Sequence, residues 1–295
     1  MNAPLRPALR YHGGKWRLAP WIIAHFPPHR VYVEPFGGAA SVLLRKPRSY
    51  AEMYNELSGD VVNLFRVLRD AALSARLLEQ IALTPYARDE FESTYEDRAD
   101  PVDRARALIV RSMMSFGSNG HNARVKTGFR ADSNRSGTTP AHDWAHYPEA
   151  LAAIIDRLHG VVIENRNALE CMAQHDGAKT LFYVDPPYPM HTRSLRNPFN
   201  LKYRTGGAAG VGCYDHEMTD DEHRALLRGL AGLSGMIVLS GYSTPLYDDA
   251  LAAWTRVERA ALADGARPRI EVLWLNPRAS AGLAQRGLFD ERGAP

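Results

Sequence analysis

The sequence is poor in cysteine, in long apolar runs and in net charge, and each shortage closes off a class of protein. Its 295 residues include 2 cysteines, Cys171 and Cys213. They form neither a metal-ligand spacing nor a disulfide framework, so they read as ordinary thiols and no metal site is expected. No stretch approaches the roughly 18 apolar residues of a membrane span. Residues 1–20 carry Arg6, Arg10, Lys15 and Arg17 without the apolar core of a signal peptide. The expectation is a cytoplasmic protein with no membrane partner. A net charge of +3, with a pI near 8.8, permits a nucleic-acid partner without demanding one, because the charge must gather on one face to matter. No internal repeat is evident. What is present is 45% hydrophobic content, enough to bury a full core in one large α/β domain with an insertion, or in two domains.

The stretch that organises the chain is Leu181-Phe182-Tyr183-Val184, followed by Asp185-Pro186-Pro187-Tyr188. The apolar run has no polar alternation, which suits a parallel strand covered on both faces. Asp185 then stands at its carboxyl end. Pro186 and Pro187 hold the chain extended beyond it and donate no hydrogen bonds. The result is a rigid set of acceptors beside the ring of Tyr188, suited to an amino group on a flat base. An exocyclic amine is a poor nucleophile; a carboxylate and a carbonyl accepting its N–H bonds hold the nitrogen in line with an electrophile. Tyr188 is placed to stack on such a base once it is flipped out of a duplex. Taken alone, the tetrapeptide is equally a strand-to-loop turn.

Two stretches upstream read as a cofactor site. Residues 10–16, Arg-Tyr-His-Gly-Gly-Lys-Trp, put a glycine turn and Lys15 ahead of an amphipathic stretch over Leu18–Phe26, or simply make a turn before a helix. Residues 31–44 read as a strand, a glycine turn at Gly37 and Gly38, and small residues opening a helix. This is the first βα turn of a nucleotide-type α/β fold. It lacks the full G-x-G-x-x-G pattern, which disfavours a dinucleotide and leaves open the looser loop of an S-adenosylmethionine (SAM) site. Glu56 follows a second strand, Ser49–Tyr54, where an acid grips a ribose diol. Asp60 is expected to cap a helix running to about Leu68.

Residues 71–149 interrupt the α/β rhythm with helical patterns over Leu73–Leu83 and Asp103–Ser115. A polar, glycine-rich segment follows from Ser115 to Pro140, with Arg124, Lys126, Arg130 and Arg135 and with Phe116 and Phe129 interleaved. It has too little apolar content for a core of its own and suits a loop or hairpin lying on DNA, or else a solvated loop. The rhythm then returns: helices over Ala150–Leu158 and Ala168–His175, and strands over Gly160–Glu164 and at the motif itself. Beyond the basic segment Pro189–Asp215 come a helix over Thr219–Leu230, a strand Met236–Ser240, a helix Leu246–Trp254 and a last strand Arg269–Asn276. Residues 279–295 read as a frayed tail.

In this order, Tyr11-His12-Gly13-Gly14-Lys15, Glu34-Pro35-Phe36-Gly37-Gly38, the acid Glu56 and Asp185-Pro186-Pro187-Tyr188 resemble the motifs of the DNA adenine methylase (Dam-like, D12 class) family, phage or prophage type. The resemblance covers roughly residues 8–277. It implies a Rossmann-like α/β methyltransferase sheet with helices on both faces, formed by residues 1–70 and 150–278. Residues 71–149 would be an inserted, mainly helical target-recognition region. It implies SAM as cofactor and methyl transfer to the N6 amine of adenine in double-stranded DNA by base flipping. Asp185, Pro186, Pro187 and Tyr188 match the catalytic motif. Tyr11, Lys15, Glu34, Phe36, Gly37, Gly38, Glu56, Asn167 and Asp185 match cofactor-binding positions. The family more often has Trp at the place of Tyr11, Asp is common at that of Glu56, and relatives often carry Asp at that of Asn167. Arg124, Lys126 and Arg130 fall in the region that contacts DNA. A cognate restriction endonuclease is compatible with this reading, and no obligate protein partner is evident. Methylation of the N4 amine of cytosine needs the same acceptors, and a DNA-binding protein with a non-catalytic cofactor site is the alternative from another class. RNA and protein-glutamine methyltransferases share the Pro-Pro-Tyr corner but commonly lack the insertion. A C5-cytosine enzyme is disfavoured because neither cysteine follows a proline.

Overall fold

A computed structural model describes residues 4–123, 126–132, 134, 137–189, 192, 216–263 and 267–290. Its centre is a seven-stranded sheet in the order β3-β2-β1-β4-β5-β7-β6. The strands are β1 (Val31–Glu34), β2 (Ala51–Asn55), β3 (Val161–Glu164), β4 (Thr180–Val184), β5 (Met236–Gly241), β6 (Thr255–Ala263) and β7 (Arg267–Leu275). The first five run parallel, and β7 is antiparallel to both β5 and β6.

The apolar runs of β4 and β5 lie at the centre of the sheet and are buried along their whole length, as parallel strands covered on both faces must be. Successive side chains point to opposite faces, and two cores result. Tyr32, Leu181, Tyr183, Val238, Leu273 and Leu275 join one of them. Phe182, Val184, Ile237, Leu239, Val272 and Trp274 join the other.

The first core is covered by α1 (Ala19–Ala24), α2 (Gly59–Arg69), α3 (Ala71–Leu83), α4 (Arg88–Ser93), α5 (Pro101–Met114), α6 (Pro140–Ala145) and α7 (Tyr147–Leu158), each with side chains in the cluster. The second is covered by α8 (Ala168–Gln174), α9 (Asp220–Ala231) and α10 (Pro245–Ala250). Their starts carry the expected chemistry. Asp70 accepts from Ala72 and Leu73 N–H at the head of α3, Asp100 does the same for α5 ahead of Pro101, and Thr219 with Glu222 forms a capping box on α9.

Several expectations need correction. Residues 277–290 form a helix, α11 (Pro277–Asp290), not a frayed tail. Ala279 is fully buried, and Asn276 Oδ1 accepts from Ala279 N–H at 2.9 Å while its Nδ2 donates to Gly235 O at 2.9 Å. Strand β6 was not foreseen, because most of its outer-edge residues face solvent and carry no apolar signature. Asp60 is not a cap. It lies one residue inside α2 and pairs with Arg104 of α5 at 2.9 Å, while Ser58 holds the N-cap position. The small residues after Gly38 make turns in place of a regular helix. There Leu44 N–H donates to Ala40 O (2.9 Å) and Lys46 N–H to Val42 O (3.0 Å), while Leu43 N–H donates to Glu34 (3.0 Å) and its carbonyl accepts from Arg157 (2.7 Å), so side chains interrupt the helical ladder. Leu77, Ile81, Leu108 and Trp144, from the stretch expected as an insertion, share the first core with the sheet.

Candidate active site

The strand order reverses between β1 and β4, and open parallel sheets bind ligands at that switch point, beyond the carboxyl ends of the strands. A cavity of about 360 Å³ lies there, walled by residues that follow β1, β2, β3 and β4 and by the N-terminal segment 11–15. Tyr11, Lys15, Glu34, Phe36, Gly37, Gly38, Glu56, Asn167, Asp185, Pro186 and Pro187 all line it. Four motifs far apart in sequence meet in one place. Tyr188 is the exception: it lies behind the wall.

The glycine loop is shaped by what presses on it. A Cβ on Gly37 would sit 2.1 Å from the Tyr54 ring, and Gly38 has φ +48° with the Tyr11 ring 3.0 Å from where its Cβ would be. Both positions therefore require glycine. Tyr54 Oη donates to Gly38 O at 2.5 Å, and Gly38 N–H donates to Glu56 Oε2 at 2.8 Å. The other Glu56 oxygen accepts from Leu57 and Ser58 N–H, each at 2.9 Å. Burial pushes the Glu56 carboxyl above its ordinary range, against the pull of those backbone donors. Asn55, which the sequence reading missed, ties the floor together. Its Nδ2 donates to Pro35 O (2.9 Å) and Arg166 O (3.0 Å), and its Oδ1 accepts from Arg166 N–H (3.0 Å). An amide at the carboxyl end of a strand beside the glycine loop was the signal available.

At the Asp-Pro-Pro-Tyr corner, Lys15 Nζ lies 3.0 Å from Asp185 Oδ2 and donates to Gly13 O at 2.9 Å. Ser240 Oγ donates to Asp185 Oδ1 at 2.7 Å. Lys15 thus serves the carboxylate itself, on a side chain only 7% exposed. Tyr188 is 8% exposed. Its hydroxyl donates to Glu271 Oε2 at 3.0 Å, its ring meets Tyr242 edge-on at 4.5 Å, and Lys15 Nζ lies 4.7 Å from its centroid. Glu34 is buried beneath the loop, accepting from Tyr32 Oη (2.8 Å) and Leu43 N–H (3.0 Å). Burial raises its carboxyl to about 8, and the charge of Asp185 pushes the same way. Asn167 caps α8, its Oδ1 accepting from Leu169 N–H at 2.8 Å.

The basic segment beyond Ser115 is built differently. Arg124 and Arg135 lie outside the described residues, as do Cys213 and the run from Arg193 to Arg204. Lys126 is exposed. Arg130 is half-buried, its N–H donating to Met114 O at 2.8 Å and its carbonyl accepting from Tyr86 Oη at 2.6 Å. Phe129 packs on the core, whereas Phe116 is 67% exposed. The buried Arg111 anchors the segment through Gly120 O (2.9 Å) and Thr94 O (2.8 Å), and a Cβ on Gly120 would meet Ser115 Oγ at 2.1 Å. The Tyr11 ring lies 4.1 Å from His121, tilted by 34°, so the cavity wall touches this segment directly.

A mixed sheet whose switch point opens on a glycine loop, with acids at the tips of the neighbouring strands, defines an α/β protein with its cavity where open parallel sheets bind ligands. A family model then places it: the chain belongs to the D12 class N6 adenine-specific DNA methyltransferase family, whose model matches residues 11–197. Two curated relatives, the DNA adenine methylases of Escherichia coli strain K12 and of Escherichia coli O157:H7, are each 26% identical over 194 residues. The match takes in 62% of this chain and 65% of each relative. No helix among the described residues is long and apolar enough to cross a membrane.

Proposed function

We propose that the protein transfers a methyl group from SAM to the N6 amine of adenine in double-stranded DNA, acting on a base flipped out of the helix. The observation that carries this reading is the Asp185 carboxylate, held by Lys15 and Ser240 at the wall of a glycine-loop cavity. Bound SAM supplies an electrophilic methyl group. The residues present suit it. Glu56 spends lone pairs on three backbone N–H groups, and a carboxylate offers about four, which leaves acceptor capacity toward a ribose hydroxyl. Gly37 and Gly38 bring bare backbone to the cavity, with Tyr11, Glu34, Phe36 and Asn167 completing its wall. Asp185 and the carbonyls of the Pro186-Pro187 turn accept the N–H bonds of the target amine and steady it for in-line attack. Tyr188, buried behind the wall and bonded to Glu271, supports the corner from behind.

In this reading residues 71–149 form the target-recognition region, although their helices share the core of the sheet, and residues 1–70 with 150–278 form the catalytic part. Lys126, Arg130 and Arg124 contact DNA, on phosphates or base edges. The reaction takes place in the cytoplasm, and a cognate restriction endonuclease fits as partner. The deciding experiment is incubation of plasmid DNA with labelled SAM, followed by nucleoside analysis and mapping of the modified positions. N6-methyladenine at a defined sequence is expected. N4-methylcytosine would transfer the assignment to the other exocyclic amine, and no labelled nucleoside would overturn it.

A further inference from the structure

Ser240 lies at the end of β5, beyond the residues that the family model matches and in none of the motifs read from the sequence. Strands β4 and β5 are parallel with Val184 opposite Leu239, so the next step along the register brings Asp185 beside Ser240. Alternation along each strand puts Tyr183, Asp185 and Ser240 on one face of the sheet. They form a chain of hydrogen bonds. Tyr183 Oη is 3.1 Å from Ser240 Oγ, which is 2.7 Å from Asp185 Oδ1. A carboxylate paired with Lys15 only accepts, and a serine hydroxyl has one proton to give. Ser240 therefore donates to Asp185, and Tyr183 donates to Ser240. Burial holds the Tyr183 phenol well above its ordinary range, so it keeps that proton. Lys15 Nζ, at 3.0 Å, holds the opposite oxygen.

We propose that Ser240, with Tyr183 behind it, is a positioning residue that fixes the rotation of the Asp185 carboxylate so that its remaining lone pairs face the target amine. The inference rests on the proposed methyl transfer. A carboxylate held only by Lys15 can turn about its Cβ–Cγ bond and offer the amine an acceptor out of line with the electrophile, and such misplacement slows the chemical step more than binding. Ser240 is 2% exposed and absent from the cavity wall, so it acts through Asp185 and not on cofactor or base.

The test compares wild type, Ser240→Ala and Tyr183→Phe in single-turnover methyl transfer to DNA with labelled SAM. KM for DNA, SAM affinity by calorimetry and thermal midpoints are measured alongside. Losing a buried hydrogen bond to a charged group should slow single turnover in Ser240→Ala by about tenfold to a hundredfold. KM and SAM affinity should stay within about twofold, because neither ligand touches Ser240. Tyr183→Phe removes the far donor from a ring that also lines the cavity; it should slow the step by roughly twofold to fivefold with SAM affinity kept. A Ser240→Ala rate within about twofold of wild type overturns the proposal, as does a loss of SAM affinity that accounts for the whole effect. If Ser240→Ala does not fold, an unchanged rate in Tyr183→Phe overturns it instead. Wild-type protein that binds SAM yet methylates no DNA overturns both this role and the function beneath it, whereas an active wild type with unchanged variants overturns the role alone.

Discussion

The cofactor cavity and the basic segment after Ser115 sit against each other, joined by the Tyr11–His121 contact, yet they are held by different means. Each wall of the cavity is tied to a distant strand: Asn55 to the loops after β1 and β3, Glu56 to Gly38, Asp185 to Lys15 and Ser240. The basic segment is held mainly through its backbone: Arg111 on Gly120 O, Arg10 on Ser115 O, Tyr95 on Thr127 N–H and Tyr86 on Arg130 O, with Phe129 packed on the core. Chemistry that depends on sub-ångström alignment is placed on strand ends cross-braced by hydrogen bonds. The segment proposed to meet DNA is a loop tied down by its backbone, which leaves side chains such as Lys126 exposed. The two should therefore be separable by mutation.

The largest effect is expected at the corner. Asp185→Ala should abolish methyl transfer while DNA binding persists, and near-normal turnover in that variant would sink the mechanism. At the other region, Arg111→Ala leaves buried carbonyls at Gly120 and Thr94 without their cationic donor, a loss worth about 1.5–3 kcal/mol. Denaturant melts and limited proteolysis should show residues 115–132 opening first, with SAM affinity little changed. If SAM affinity falls as far as stability does, the two regions are one cooperative unit.

Lys15→Ala and Glu56→Ala should each weaken SAM binding by about 1–3 kcal/mol, with DNA affinity untouched; calorimetry showing normal SAM affinity in both would refute their assignment. Glu34 offers a test by pH. Its carboxyl is raised from 4.5 to about 8 in the fold, so the native state keeps a proton that the unfolded chain releases. That contribution is fully present below pH 4.5 and is lost as pH rises through about 8. Glu34→Gln, which stays neutral, should show a smaller fall in urea midpoint across that window, and a slope equal to wild type would show that Glu34 is ionised in the fold. The smallest effect belongs to Lys126→Ala. If this exposed lysine meets a phosphate, its loss should weaken binding to all sequences alike and lower the salt slope by about one; a change in preferred site would make it a base reader.

The central strands β4 and β5 were legible because strands buried along their length leave apolar runs, and the glycine loop because glycines and strand-end acids recur at a fold-wide spacing. The outer strand β6 and helix α11 were not: one is an exposed edge without alternation, and the other is held by the buried Ala279 and by Asn276, whose partners lie on β5 and in the turn before it. The same division holds at the site. The sequence alone picked out residues that come to line the cavity, since a carboxylate before two prolines, a lysine after two glycines and an acid after a strand are local patterns with local reasons. Only the tertiary structure decided what those residues do to one another. That Lys15 pairs with Asp185, that Tyr188 bonds Glu271 and that Ser240 donates to the carboxylate follow from the tertiary arrangement, which brings together side chains separated by 55 to 170 positions, beyond the reach of any local pattern.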